Sequence, residues 1–123
     1  MTVSPGFEEF VRDVLSGLGP VTIRKMFGGG GVYFDGVMFG LIADDTLYFK
    51  ADETSTAAFE AEGKGPFVYQ AKDRKPIAMS YWEVPERLYD DPDELADWAR
   101  RAHDIAVAAK SKTKKRKTQK PRA

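Results

Sequence analysis

The stretch Gly31-Val32-Tyr33-Phe34-Asp35-Gly36-Val37-Met38-Phe39-Gly40-Leu41-Ile42 predicts the centre of the fold. Its middle pair, Asp-Gly, is preferred in two-residue type I′ turns, because both central residues of that turn take positive φ. The β-prone runs on either side are therefore expected to form a hairpin. A polar turn at 43–46 and the run at 47–50 add a third strand. Such a meander needs a helix layer or a second sheet to cover its apolar face.

The segments around this meander have the patterns of helices and further strands. Apolar residues recur in steps of three and four over 7–18, and again over 95–109 after the helix start Asp91-Pro92-Asp93-Glu94. Asp52 begins a short helix that ends at Gly63, and strands are expected at 21–27, 67–70 and 77–82. The predicted fold class is α+β, a two-layer antiparallel sheet with helices in the order α-β-β-β(-β)-α-β-β-α.

Composition excludes several classes of function. The chain of 123 residues contains no cysteine, so disulfides, a thiol nucleophile and thiolate metal sites are excluded. The first residues do not have the basic and apolar pattern of a signal peptide, and no apolar run reaches the roughly 20 residues of a membrane span. We therefore expect a cytoplasmic protein without membrane contact.

The formal net charge of zero hides an uneven distribution. Residues 1–109 carry 11 basic and 19 acidic groups, whereas residues 110–123 carry eight basic groups and no acid. We expect residues 1–109 to form one domain and residues 110–123 to be a disordered basic tail. This tail is also a candidate for nonspecific contact with nucleic acid, through the cations Lys112, Lys114, Lys115, Arg116 and Lys117.

Two features were weighed as chemical sites. Four consecutive glycines, residues 28–31, could form a phosphate nest, but a strand rather than a helix follows them. A bulge, a tight bend or a close approach between strands is the favoured interpretation, with a small-ligand or phosphate site as the alternative. His103 is the single histidine and is accompanied by no apparent metal or nucleophile partners. The sequence therefore predicts no catalytic residue, no metal and no cofactor.

Several landmarks together resemble the N-terminal domain of the TfoX/Sxy family of bacterial competence regulators. They are Leu18-Gly19-Pro20-Val21, Arg24-Lys25-Met26-Phe27-Gly28-Gly29, Asp35-Gly36 with Met38-Phe39, Leu47-Tyr48-Phe49-Lys50 and Met79-Ser80-Tyr81-Trp82-Glu83-Val84-Pro85. The resemblance implies a fold similar to secretion chaperones and no enzymatic activity. It also implies transcription regulation through protein partners such as the cyclic-AMP receptor protein.

Three residues are the candidates for partner contact: Arg24, Tyr81 and Trp82. Neighbouring strand residues point to opposite faces, so one member of Tyr81-Trp82 is expected in the core and the other on the surface. We predict a non-enzymatic regulatory or adaptor domain that acts by protein–protein contact, with a nucleic-acid accessory role through the tail as the alternative. The strand at 21–27 could also pair with a second copy of the chain to form a homodimer.

Overall fold

The computed structural model describes the backbone of residues 5–26, 29–69, 75 and 77–119, and the side chains of 6–26, 29–68, 75 and 79–110. Its elements are α1 (Pro5–Val14), β1 (Thr22–Met26), β2 (Gly29–Phe34), β3 (Val37–Ala43), β4 (Thr46–Lys50), α2 (Thr56–Ala61), β5 (Pro66–Tyr69), β6 (Ile77–Glu83), a 3-10 turn (Glu86–Asp90) and α3 (Pro92–Gln119). The six strands form one antiparallel sheet in the order β1-β2-β3-β4-β6-β5. The predicted α+β class is confirmed, with four strands before α2.

Two tight turns hold the central strands together. Asp35 and Gly36 have φ values of 55° and 77°, and Asp44 and Asp45 have values of 52° and 53°. Positive φ at both central positions is the requirement of a type I′ turn, whose twist matches that of the flanking strands. The hairpin predicted from Asp35-Gly36 is therefore present, and β2, β3 and β4 are neighbours in the sheet.

The core lies between one face of the sheet and the helices. A row of directly paired residues crosses this face through all six strands: Ile23, Val32, Gly40, Phe49, Trp82 and Pro66. Val11 and Leu15 near α1, and Leu95 and Ala99 of α3, are fully buried in the same cluster. Each buried aliphatic or aromatic side chain of this kind stabilises the fold by about 1.5–3 kcal/mol.

A β-bulge in β3 changes which residues reach the core. Val32 pairs with Gly40, whereas the next residue of β2, Tyr33, pairs with Met38, so Phe39 has no partner across this ladder. Phe39 is fully buried and its ring packs 5.9 Å from that of Phe49. The extra residue turns Phe39 into the core and turns Met38 to the opposite face of the sheet.

The start of α3 is held by its neighbours. The Asp91 carboxylate accepts a hydrogen bond of 3.2 Å from the backbone N–H of Glu94, as expected of a helix cap. The Glu94 carboxylate is engaged elsewhere, by two nitrogens of Arg87 at 2.9 Å and by the indole N–H of Trp98 at 3.2 Å. Arg87 also donates to Glu62 at the end of α2, so one guanidinium joins the two helices.

The glycine run forms part of the sheet. Gly30 and Gly31 pair with β1 on one side and with β3 on the other, and Gly29 pairs with Met26. A Cβ atom on Gly29 would meet the backbone carbonyl oxygen of Ile42. Of the favoured interpretations, a close approach between strands agrees with the geometry at Gly29, whereas Gly28 lies outside the described residues.

The backbone of α3 continues as a helix to Gln119, past the predicted domain boundary at residue 109. Among the side chains of α3 that are described, up to Lys110, Ala106 is the last one buried in the core. The side chains of residues 111–119 and all of residues 120–123 lie outside the described part. The division into a body and a disordered basic tail therefore stays a prediction.

Candidate functional site: the open face of the sheet

The face of the sheet opposite the core carries no helix from the described part of the chain. A second row of directly paired residues crosses it: Arg24, Gly31, Leu41, Tyr48 and Glu83. Rows on either side of it add Met26, Tyr33, Met38, Lys50 and Tyr81, and Phe67 of β5 joins them through a ring contact with Tyr48. We call these residues the open face.

Aromatic rings and methionines make the open face apolar. The rings of Tyr48 and Phe67 are 5.2 Å apart, in an edge-to-face arrangement. Gly31 provides space at the centre, because a Cβ atom there would lie 3.0–3.1 Å from side-chain atoms of Met26, Met38 and Tyr33. These side chains are each partly buried, although no helix of the described residues covers them.

Two cations lie over tyrosine rings of this face. The guanidinium carbon of Arg24 is 5.5 Å from the centre of the Tyr33 ring, and the Lys50 ammonium is 5.3 Å from that of Tyr81. Both contacts have the geometry of cation–π interactions. The Lys50 ammonium also donates a 2.6 Å hydrogen bond to the Ser80 hydroxyl. Within the described residues, no carboxylate lies within ion-pair distance of Arg24 or Lys50.

Glu83, the acidic residue in the second row of paired residues, has a lysine partner. Glu83 forms an ion pair of 3.5 Å with Lys64, which in turn lies 3.3 Å from Glu86. Hydrogen bonding to Glu86 and the nearby charges of Glu83 and Glu86 raise the pKa of the Lys64 ammonium. The open face thus presents two cations that pair with no described carboxylate, whereas residues 1–109 as a whole are acidic.

Two tyrosines of the open face, Tyr48 and Tyr81, have raised pKa values and stay neutral at physiological pH. Burial raises the pKa of the Tyr81 phenol, and the nearby Tyr33 acts in the same direction. Burial also raises the pKa of the Tyr48 phenol, followed by the charges of Glu83 and Asp44. A neutral phenol keeps its O–H as a hydrogen-bond donor beside an apolar ring, which is the combination found in binding surfaces.

The three predicted partner residues divide between the two faces. Arg24 and Tyr81 lie on the open face. The Arg24 guanidinium carbon is 5.5 Å from the centre of the Tyr33 ring, and the Lys50 ammonium is 5.3 Å from the centre of the Tyr81 ring. Trp82 belongs to the core row, where its ring packs 6.1 Å from that of Phe59. The expectation that one member of the Tyr81-Trp82 pair is in the core is met by Trp82. The five candidate cations of the tail have no described side chains.

Among the members of the open face that sequence reasoning missed are Lys50, Met26, Met38, Leu41 and Phe67. Alternation along a strand assigns residues to faces when the register is regular. That signal misplaces Met38, because the bulge at Phe39 reverses the alternation within β3. Phe67 lies beside a register shift in β5, so its face was not predictable from spacing either.

His103 has a structural position in the described fold. Its Nε2 atom lies 2.8 Å from the backbone oxygen of Phe34, and its ring packs edge-to-face against the rings of Phe34 and Phe39. A carbonyl oxygen accepts only, so Nε2 carries the proton and donates. Among the described residues, no group of three or more histidine, aspartate or glutamate side chains has the arrangement of a metal site.

A groove of about 330 Å³ lies between α2 and α3, and Lys50 of β4 is also among the residues that line it. Phe59, Trp98 and Ile105 provide its apolar walls. Arg101 at its border is occupied by the fold, since it donates to the backbone oxygen of Thr54 at 2.8 Å and to its hydroxyl at 3.1 Å. The open face therefore has the stronger features of a recognition surface.

The fold is α+β with one sheet face that no helix of the described residues covers, and the chain matches the model of the TfoX N-terminal domain over residues 13–106. It belongs to this family. It is similar to Protein Sxy of Escherichia coli (strain K12), with 25% identity over 100 residues, which are 81% of this chain and 47% of Sxy. The chain thus spans about half the length of this relative. In the described part of the chain, no helix combines the length and the apolar character needed to cross a bilayer.

Proposed function

We propose that this chain is a non-enzymatic regulatory domain that binds a protein partner through the open face. The observation that supports it most is the set of tyrosines, methionines and Arg24 on a sheet face that no described helix covers. Tyrosine, methionine and arginine are enriched at protein interfaces, and tyrosine and arginine are frequent among the few residues that carry most of the binding free energy. The membership in the TfoX N-terminal domain family, with a relative such as Sxy, supports a regulatory role in transcription.

The partner surface has a definable chemistry. It carries an apolar patch that fits the tyrosines and methionines, with carboxylates placed to meet Arg24 and Lys50. These two cations have no carboxylate partner within the described residues. A transcription regulator in the cytoplasm is the kind of partner that the family membership favours.

Photo-crosslinking in the native host tests this proposal. A crosslinking phenylalanine analogue replaces Tyr81 in one variant and Val107 in a control variant, because Val107 is 41% exposed on the helix side. The partner captured from the Tyr81 position is then purified, and its affinity is measured by calorimetry. Arg24→Glu is expected to weaken binding by about tenfold or more. Replacement of the facing carboxylate in the partner by a basic residue is expected to restore the affinity.

Two results would contradict the proposal. One is capture of the same partner with equal yield from the Val107 position, which would place the contact elsewhere. The other is an unchanged affinity of the Arg24→Glu variant, provided that its circular dichroism and melting temperature match those of the wild type.

A second candidate function is nonspecific nucleic-acid binding through the tail. The support is the run of eight cations without an acid from Lys110 onward, which would release counterions from a phosphate backbone. Replacement of Lys112, Lys114, Lys115, Arg116 and Lys117 by glutamine should then abolish binding and flatten its salt dependence. If a single-stranded oligonucleotide still binds after these substitutions and no longer binds after Tyr81→Ala, its binding site is the open face rather than the tail.

A further inference from the structure

The outer edge of β1 is an unpaired strand edge with a continuous register. All five residues of β1 pair regularly with β2, from Thr22 opposite Tyr33 to Met26 opposite Gly29. Among the described residues, no strand pairs with the other side of β1. An edge of this kind presents alternating N–H and C=O groups that can accept another strand.

The opposite edge of the sheet is less suited to this. β5 begins with Pro66, which has no N–H to donate, and its register shifts between Pro66 and Val68. Edge prolines and irregular registers are devices that prevent strand addition. β1 contains neither, and its protection consists of two charges.

These charges point to opposite faces of the sheet. Arg24 pairs with Gly31 on the open face, and Lys25 pairs with Gly30 on the helix side, where it is exposed. A strand added beside β1 would therefore meet one cation on each of its own faces, at consecutive residues. Opposite charges on directly facing strand residues stabilise pairing, and like charges oppose it.

The same charges disfavour a second copy of this chain as the added strand. In the two-fold antiparallel arrangement that pairs all five residues of β1, Arg24 faces Arg24 of the other copy. Such like-charge contacts destabilise the pair. The homodimer expected as one option for this edge is thus disfavoured, whereas a segment with two adjacent acids is favoured.

We propose that the protein partner inserts an extended segment with two consecutive acidic residues beside β1, as a seventh strand of the sheet. The inference rests on the proposed function, since it takes the partner to be a protein. Apolar residues on either side of the acids would continue the contacts, one next to Ile23 toward the core and one next to Met26 on the open face.

A synthetic peptide tests the edge directly. The probe is acetyl-Thr-Val-Glu-Glu-Val-Thr-amide, whose central sequence is symmetric and so places acids opposite Arg24 and Lys25 in either strand direction. It is titrated to millimolar concentration into the ¹⁵N-labelled full chain and followed by NMR. The expected result is saturable shifts concentrated in the amides of β1 and β2.

Three matched comparisons separate strand pairing from charge attraction. The same peptide with its four central amides methylated keeps its charge, loses those donors and should not bind. Arg24→Glu and Lys25→Glu should each weaken binding by about fivefold or more, since each turns an attractive facing pair into a repulsive one. Lys110→Glu makes the same change of charge at an exposed position of α3 and should leave binding within about twofold.

Several outcomes would overturn the inference: no shifts in β1 at millimolar peptide, equal binding of the methylated peptide, shifts confined to the tail, or a wild-type dimer joined through β1 in sedimentation. Failure here is distinguishable from failure of the proposed function. If a partner crosslinks from the Tyr81 position and its affinity falls with Lys50→Glu but not with Lys25→Glu, the proposed function stands and strand addition at β1 is refuted. If the peptide binds at β1 but no partner is crosslinked from the Tyr81 position, strand addition at β1 stands and the proposed function is refuted.

Discussion

The Nε2 atom of His103 lies 2.8 Å from the backbone carbonyl oxygen of Phe34. This hydrogen bond joins the first half of α3 to the last residue of β2, next to the Asp35-Gly36 turn. The imidazole also packs between the rings of Phe34 and Phe39, at centroid distances of 5.1 and 6.0 Å. One polar side chain thus ties the helix layer to the central hairpin.

Replacement of His103 by alanine is expected to destabilise the protein by about 1–3 kcal/mol, because the Phe34 carbonyl loses its donor and two rings lose a contact. His103→Gln should recover part of this loss, since its amide can donate to the same oxygen. Urea denaturation followed by circular dichroism measures both. Asp104→Ala is the control, since Asp104 is an exposed neighbour on α3; an equal loss in that variant would refute the assignment.

The ion-pair cluster around Arg87 predicts a pH dependence of stability. Hydrogen bonding to Arg87 lowers the pKa of the Glu62 and Glu94 carboxyls below their ordinary value of 4.5. A lowered pKa in the fold means that the unfolded chain binds more protons, so this stabilisation is complete above about pH 5 and is lost as pH falls through the folded-state values. In Arg87→Gln, the urea midpoint should be lower at pH 7 and should fall less between pH 6 and pH 3.

Arg100→Gln serves as the comparison for Arg87. Arg100 forms a single ion pair of 2.7 Å with Asp97 on the same helix, and both side chains are more than half exposed. An exposed pair of this kind contributes little to stability. If Arg100→Gln changed the pH profile as much as Arg87→Gln, the bridge between α2 and α3 would not be the cause.

The two glycines at positions 29 and 31 should respond differently to alanine. At Gly29 the new methyl group would meet the backbone oxygen of Ile42, whereas at Gly31 it would meet the movable ends of Met26, Met38 and Tyr33. Gly29→Ala should therefore cost about 2 kcal/mol or more, and Gly31→Ala clearly less. Thermal denaturation compares the two; a greater loss for Gly31→Ala would contradict the close approach of strands at Gly29.

Trp82 and Tyr81 are neighbours with different expected effects. Trp82 packs against Phe59 in the core, so Trp82→Ala should destabilise the fold by about 2–4 kcal/mol. Tyr81→Ala should cost less stability and should instead reduce partner affinity. Urea denaturation gives the first quantity and calorimetry with the crosslinked partner the second. The reverse order of stabilities would mean that the faces of β6 are exchanged.

The sequence was sufficient for the elements whose signals are local. Asp35-Gly36 specifies a turn by its positive φ values, and the cap at Asp91 specifies the start of α3. The apolar period of α1 and α3 predicted which residues face the sheet, and Val11, Leu15, Leu95 and Ala99 are buried accordingly. These features depend on the backbone preferences and spacing of neighbouring residues, which the sequence states directly.

The open face was decided by tertiary structure. The bulge at Phe39 turns Met38 away from the core. Strict alternation along β3 would have placed Met38 on the core face, the same face as Ile42. The order of strands, with β6 between β4 and β5, is what brings Tyr81 beside Lys50 and Phe67 beside Tyr48. Register and strand order depend on contacts between residues far apart in the chain, and no local pattern records them.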